Sequence, residues 1–374
     1  MSNPIRILEI VNVMDRAGLE TMLMNHYRQM DRDLVQLDFL THRPVVGAYD
    51  KEIHELGGRV FQAPRLYPQN CLAYRRYMRT FFAEHKYPVV HSHIDAMSAF
   101  PLAMARSCQV AVRVAHSHSD SVDMDIKFPI KEVARRRLPS IATHYWACSP
   151  AAGAFLFGEN NRSKLHIVKN AIDLTGYAFD ADARLAARRE LNVTNNQVVI
   201  GHVGRFSTVK NQSFLVDILT SLIGLGCDAV LVLVGDGELR SKVEAKAAVS
   251  GLSGKIRFLG LRDDVARLMQ AFDALCFPSL HEGIPLTLIE AQSSGLPVLT
   301  SDKVSAEALV MPNCARISLS KGAEEWASKL FNLASKGRVE GCREALAAAG
   351  YEIESSARGL QNSYLKLYEG AINQ

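Results

Sequence analysis

The chain has 374 residues, more than one ordinary hydrophobic core organises, and its length suggests two domains. Hydrophobic residues make up 48% and charged residues 22%, which excludes a disordered or fibrous chain. A net charge of +4 gives nucleic-acid binding no support, so any basic patch has to be local. Arg135-Arg136-Arg137 and Arg75-Arg76 with Arg79 are such patches. They read as solvated helix faces, or as contacts to an anionic membrane surface or a phosphate-bearing acceptor.

Seven cysteines stand singly, with no CxxC pair, which argues for reduced thiols and against a disulfide framework or a zinc site. Met1-Ser-Asn-Pro4 runs into an apolar strand without the basic and long apolar regions of a signal peptide. No apolar run approaches the roughly 18 residues that span a bilayer. The expectation is a cytoplasmic protein, at most peripheral on the inner face of the membrane.

Along the chain, short Val- and Ile-rich runs alternate with longer helical patterns. Strands are predicted at 5–11, 37–40, 59–61, 89–91, 110–115 and 145–147. A second series is predicted at 198–203, 229–234, 256–259, 274–277 and 298–300. Continuous apolar runs fit parallel strands covered on both faces, and the alternation with helices predicts an α/β doubly wound architecture. A polar stretch at 170–196 separates the two series, with no repeats and no low-complexity tract. The predicted domains are 1–175 and 176–354, with a helix near 355–374 packing back on the first. Two such Rossmann-like sheets would face across a cleft at their strand carboxyl ends, where ligands bind in open α/β folds.

Taken in order, Asp15-Arg16-Ala17-Gly18 is a glycine-bearing turn before a helix at 21–29. His91, His93, His116 and His118 stand in pairs at predicted strand ends. A His-x-His pair invites a zinc reading. No Cys or carboxylate stands at ligand spacing, so hydrogen bonding to a sugar or its acceptor suits these histidines better. After the strand at 198–203 come Gly204, Arg205 and Lys210, two cations placed to neutralise a leaving diphosphate, a role otherwise taken by a metal ion. Val234-Gly-Asp-Gly-Glu238 is a further glycine turn.

After the strand at 274–277 comes Glu282-Gly283-Ile284-Pro285, with Pro285 expected in the first turn of a helix that carries Glu290. The N–H groups of Leu286, Thr287 and Leu288 would be free, and with the helix dipole they make a diphosphate site. Nothing matches the GxGxxG dinucleotide fingerprint, which disfavours a dehydrogenase.

These residues resemble the retaining GT-B glycosyltransferases of family 4. The hallmark Glu-x7-Glu is matched by Glu282 and Glu290, and Val203-Gly-Arg-Phe206, Lys210-Asn211 and Phe277-Pro-Ser279 are similar to companion motifs. The first half is most similar to exopolysaccharide and capsular polysaccharide transferases through Met14–Asn25, Arg113–His118 and Val168–Leu174. Ala17-Gly18 departs from the Gly-Gly of many relatives, and Asn170-Ala-Ile-Asp173 from their Asn-Gly-Ile-Asp.

The resemblance implies a UDP-sugar donor, a glycan or lipid-linked acceptor and no metal. It implies that Arg205 and Lys210 stabilise the diphosphate and that Glu290 holds the ribose hydroxyls. Glu282 and the amides after Gly283 would position sugar and phosphates, and Gly18 would lie against the donor. His116 or His118 would sit near the reacting carbon. It also implies same-face substitution in which the leaving diphosphate helps to deprotonate the acceptor. A UDP-sugar epimerase and a non-catalytic nucleotide-sugar-binding subunit are the alternatives. UDP release from UDP-sugars, with and without acceptor, separates the three.

Overall fold

A computed structural model describes residues 3–119 and 128–372. The chain forms two compact units, residues 1–171 with 353–374, and residues 172–352. The sequence reading places the crossings at 175 and about 355, and positions 373 and 374 of its final helix lie outside the described residues.

In the first unit the elements run β1 (Ile5–Val11), α1 (Gly18–Gln29), β2 (Val35–Thr41), α2 (Asp50–Glu55), β3 (Val60–Gln62), α3 (Cys71–Glu84) and β4 (Val89–Ser92). They continue with α4 (Ala99–Ser107), β5 (Val112–Ser117), α5 (Phe128–Arg137), β6 (His144–Ala147), α6 (Pro150–Phe157) and β7 (Leu165–Ile167). All strands pair in parallel, in the order β3-β2-β1-β4-β5-β6-β7.

The second unit holds α7 (Ala181–Glu190), β8 (Val198–Val203), α8 (Gln212–Gly224), β9 (Ala229–Val234), α9 (Arg240–Val249), β10 (Ile256–Gly260), α10 (Val265–Gln270) and β11 (Ala274–Phe277). Then follow α11 (Leu286–Ser293), β12 (Val298–Ser301), β13 (Cys314–Ile317), α12 (Ala323–Lys336) and α13 (Cys342–Ala348). Its parallel order is β10-β9-β8-β11-β12-β13. A last helix, α14 (Ile353–Ile372), belongs to the first unit and packs on α1, β1, β2, β4 and β5.

Period two divides each strand between two cores. In β1, Leu8 and Ile10 enter one apolar cluster, while Ile7 and Val11 enter another built with Met22, Tyr27, Leu360 and Tyr364 of α1 and α14. In the second unit Ile200, Leu231 and Leu233 face Trp326 of α12, and Val199, Val230 and Val232 face the other way. Gly201 sits mid-strand because a Cβ there would fall 2.0 Å from the Phe272 ring. Its smallness serves packing.

The differences from the sequence reading have local causes. The strand expected at 110–115 begins at Val112, because Gln109 takes a left-handed φ of 61° and Val110 N–H caps α4 by bonding the Ala105 carbonyl. Edge strands β7 and β13 went unpredicted, since they are short and only half-buried and so carry little apolar signal. All seven cysteines are free.

One buried charge network ties α7 to the second sheet. Arg188 is 2% exposed and donates to the carbonyls of Ala271, Thr194 and Gln197 and to Asp273 Oδ2. Asp273 also accepts from Arg184 and from Val199 N–H. Replacing Asp273 by Ala strands the Arg188 charge, and we expect a loss of about 3–5 kcal/mol. The check is the urea midpoint of the variant, with Asp273→Asn losing less.

Candidate active site

Both sheets reverse their strand order once, at β1/β4 and at β8/β11. Chain segments leave such a reversal on opposite sides, so the loops after the two adjacent strands stay open to a ligand. The turn before α1, the loop carrying Arg205 and Lys210 and the loop carrying Glu282 follow three of these four strands, and the histidines stand at the ends of β4 and β5.

In the second unit three strand-end loops are stitched together. Gly204 N–H bonds the Val234 carbonyl, Phe206 N–H bonds Asp236 and Leu280 N–H bonds Val209. Gly235, at φ 128°, lies so close to Gly204 that a Cβ would sit 2.2 Å from the Gly204 carbonyl oxygen. Asn211, left-handed at φ 54°, donates its side-chain amide to the Pro278 carbonyl. His202 is buried and neutral, held to about 4 by desolvation. It donates to the Cys276 carbonyl and accepts from Gln212, which also donates to the Arg205 carbonyl.

On this frame Lys210 Nζ lies 2.6 Å from Glu282 Oε1 and 4.5 Å from the Phe277 ring centroid, with the lysine side chain 19% exposed. Glu282 is itself fixed, its N–H on the Lys303 carbonyl and its carbonyl accepting from Ser305 N–H. Arg205 is far more open, 74% exposed and 3.1 Å from Glu238. Lys210 is thus held by Glu282 and the Phe277 ring, and Arg205 by Glu238; Phe277 and Glu238 lie in motifs noted above, but without these roles.

Pro285 is the N-cap of α11, one position earlier than the first-turn placement expected, with φ −71° and ψ 131°. Leu288 N–H is already bonded to the Pro285 carbonyl, so it is not one of the free amides the sequence suggested. Those of Leu286 and Thr287 bond no backbone carbonyl among the described residues. The side chains of Ile284, Leu286 and Leu288 are buried in the core, so these residues meet a ligand through their backbone. Gly283 precedes them in the loop. Glu290 is on α11; burial raises its carboxyl to about 7, against the opposing effect of a hydrogen bond from Tyr177.

In the first unit Gly18 opens α1, and nothing lies within 4 Å of the Cβ position it lacks. The departure at Ala17 is harmless, since its φ of −131° and ψ of 172° are extended backbone open to any residue.

The histidines correct the sequence reading twice. His91, His93 and His116 are buried at 1–2% exposure, so three of the four do not face solvent, and only His118 is half-buried. A carboxylate does reach them: Glu9 of β1, registered opposite His91, lies 2.7 Å from His93 Nε2. It was invisible to spacing because parallel pairing, not sequence proximity, brings it there. A lone acid inside the apolar run Ile7–Val11 was the signal available.

The ligand atoms of His91, His93 and His116 lie within 4.8 Å of one another, the one such group among the described residues. Of their six ring nitrogens five are already hydrogen-bonded, which makes the cluster a bonded network and not three converging lone pairs.

The family model for glycosyl transferases group 1 matches residues 197–336, and that for glycosyltransferase family 4 matches residues 16–175. The chain is 38% identical over 368 residues to the Bacillus subtilis (strain 168) protein named "Putative glycosyltransferase EpsF", covering 96% of each chain. It is 32% identical over 142 residues, 37% of each chain, to the Escherichia coli UDP-Gal:alpha-D-GlcNAc-diphosphoundecaprenol alpha-1,3-galactosyltransferase. Among solved structures, Anabaena Alr3699/HepE in complex with UDP and glucose superposes with a TM-score of 0.76 at 20% identity, over 96% of this chain and 99% of that one. With two all-parallel sheets flanked by helices, the fold is of the GT-B type, and the chain belongs to family 4 of the glycosyltransferases.

Proposed function

We propose that the protein moves a sugar from a UDP-sugar to a glycan or lipid-linked saccharide during exopolysaccharide assembly, with retention at the anomeric carbon. The observation that carries this reading is the anion-binding set at one sheet's strand ends. It consists of Lys210 locked to Glu282, Arg205 beside it in the same loop, and the amides of Leu286 and Thr287 at the start of α11, for which no backbone partner is found among the described residues. A helix start supplies partial positive charge, and two cations complete the neutralisation of a departing diphosphate. The UDP held by the Anabaena structure and the UDP-Gal and diphosphoundecaprenol in the E. coli relative's name support the choice of donor and acceptor.

In this reading Glu290 accepts from the ribose hydroxyls, and Glu282 passes from Lys210 to the donor sugar as phosphate takes its place. Gly18 leaves room for the donor at the start of α1. His118, the half-buried member of its pair, is favoured over His116 as the imidazole at the reacting carbon. The diphosphate neutralised by side chains and amides needs no metal ion. No described helix is long and apolar enough to cross a membrane. A lipid-linked acceptor would be met from the cytoplasmic surface, with exposed Arg75, Arg76 and Arg79 on α3 toward anionic headgroups.

The direct test is nucleotide release from a panel of UDP-sugars, with and without a lipid-linked acceptor; no release from any donor sinks the reading. Arg205→Ala and Lys210→Ala should each slow turnover about 10²-fold, as losing one preorganised transition-state donor does. Near-normal rates in both would exclude the assigned roles. Because the Glu290 carboxyl titrates near 7 and only its ionised form accepts two ribose hydroxyls, donor affinity should rise as pH rises through about 7. Calorimetric titration with an intact nucleotide-sugar between pH 6 and 8.5 checks this, and Glu290→Gln should bind weakly without that pH dependence.

A further inference from the structure

Three crossover helices of the first unit form one layer, with α3 packed on α4 and α4 on α5. Their inner sides close a core with Tyr74, Met78 and Phe82 of α3, Leu102 and Ala105 of α4 and Ala134 of α5. A crossover between parallel strands starts at the strand carboxyl ends and returns to the amino ends. In keeping with this, α5 packs on the turn Asp95–Ser98 that follows β4, and Arg106 near the end of α4 donates to the Ser140 carbonyl beyond α5. All three helices thus begin at the rim that carries the strand-end histidines.

The outer sides are strongly basic. Together the three helices carry eight lysines and arginines and two glutamates, a net +6 in a chain whose total is +4. Glu132 is taken up by Arg135 and Arg136. Arg75, Arg76 and Arg79 of α3 and Arg137 of α5 are exposed, and among the described residues no ion pair or hydrogen bond holds their guanidinium groups. On α3 the basic side is a single stripe. Leu72, Arg75, Arg76 and Arg79 stand at i, i+3, i+4 and i+7, opposite the buried Tyr74, Met78 and Phe81. Arg79 is repelled by Arg75 and Arg76, one turn away. Water and salt only screen that repulsion, whereas a negatively charged surface converts it to attraction.

Apolar side chains mark the starting edge of the same layer. Leu72 is 80% exposed and Phe100 38%, each the second residue of its helix, and Ile130, the third of α5, is 39% exposed. Val133 follows at 55%. Arg79 lies seven residues beyond Leu72, about 10 Å along the axis at about 1.5 Å per residue. Interfacial helices enter the boundary between headgroups and acyl chains to roughly 5–10 Å, so an apolar edge trailed by arginines at this distance fits that depth. Guanidinium groups on long stems reach back to lipid phosphates from there. A nucleic acid or an acidic protein face answers the charge alone. A bilayer answers charge and apolar edge together, in the order in which they stand along the helices.

We propose that the outer side of the α3–α4–α5 layer docks on an anionic phospholipid bilayer, with Leu72, Phe100 and Ile130 entering the acyl boundary and the arginines behind them holding lipid phosphates. The arginines of α3 by themselves give an attachment that salt abolishes, and the apolar edge adds a part that salt leaves intact. Docked this way, the first unit turns its strand carboxyl ends toward the headgroup layer, where a lipid-linked saccharide is held. That use rests on the transferase reading above; the docking itself does not.

Co-sedimentation with phosphatidylglycerol–phosphatidylcholine vesicles measures the docking on the intact protein, with phosphatidylcholine vesicles as the comparison. The exposed Cys71, the first residue of α3, takes an environment-sensitive fluorophore, and Cys71→Ser corrects for label on the half-buried Cys108 and Cys314. The parent should bind the anionic vesicles, keep part of that binding at high salt and shift the label's emission to the blue. Replacing Arg75, Arg76 and Arg79 together by Gln should weaken binding about 10²-fold at low salt, at about fivefold per arginine. Leu72→Gln should weaken it about tenfold and remove the blue shift. Both variants change exposed positions, and circular dichroism verifies their fold. No binding to anionic vesicles, equal binding to both kinds of vesicle, or an unweakened triple variant overturns the docking surface. An unshifted label on bound parent, or a Leu72→Gln protein that binds like the parent, overturns the apolar edge. Nucleotide release to a water-soluble acceptor by a protein that ignores vesicles overturns the docking and leaves the transferase reading standing. Vesicle binding without release from any UDP-sugar does the reverse.

Discussion

Parallel pairing of strands whose order reverses once is the constraint on which the rest of this structure depends. Parallel strands cannot be joined by tight turns, so every connection crosses a face as a helix and every strand ends on the same side of its sheet. The loops after β8 and β11 therefore emerge side by side, and Lys210 meets Glu282 although they lie far apart in the chain. The same rule places Glu9 beside His91 and His93, because β1 and β4 are neighbours at the other reversal.

The two units use that geometry for opposite electrostatic ends. The second collects positive character at its strand ends, from two cations and a helix start, on loops whose backbones are bonded to one another before any ligand arrives. The first buries a carboxylate and three imidazoles, with a half-buried fourth beside them, and desolvation lowers the basicity of all four imidazoles. Groups that stabilise a developing anion have to present donors or positive charge to it, whereas a buried network of this kind keeps its members close to neutral.

Much of the fold was legible because fully buried parallel strands write long apolar runs. β1, β8, β9 and β11 match their predicted limits. β7 and β13 did not, since an edge strand buries one side only. The loops that carry Arg205, Lys210 and Glu282 were legible because Gly, Pro, Arg and Lys cluster there at strand ends. Leu288 was misjudged as a free amide because a local turn to Pro285, set by backbone angles, consumes it.

The sequence by itself determined the alternation of strands and helices, the two-unit layout and the identities of the motif residues, all properties of chain segments a few residues long. Tertiary structure alone decided which of the strand-end histidines are buried and that His118 is only half-buried. It also decided that a glutamate from the first strand and a tyrosine from the last helix complete their network. Burial and hydrogen-bond partnership depend on what is packed overhead, and here that is a helix from the far end of the chain.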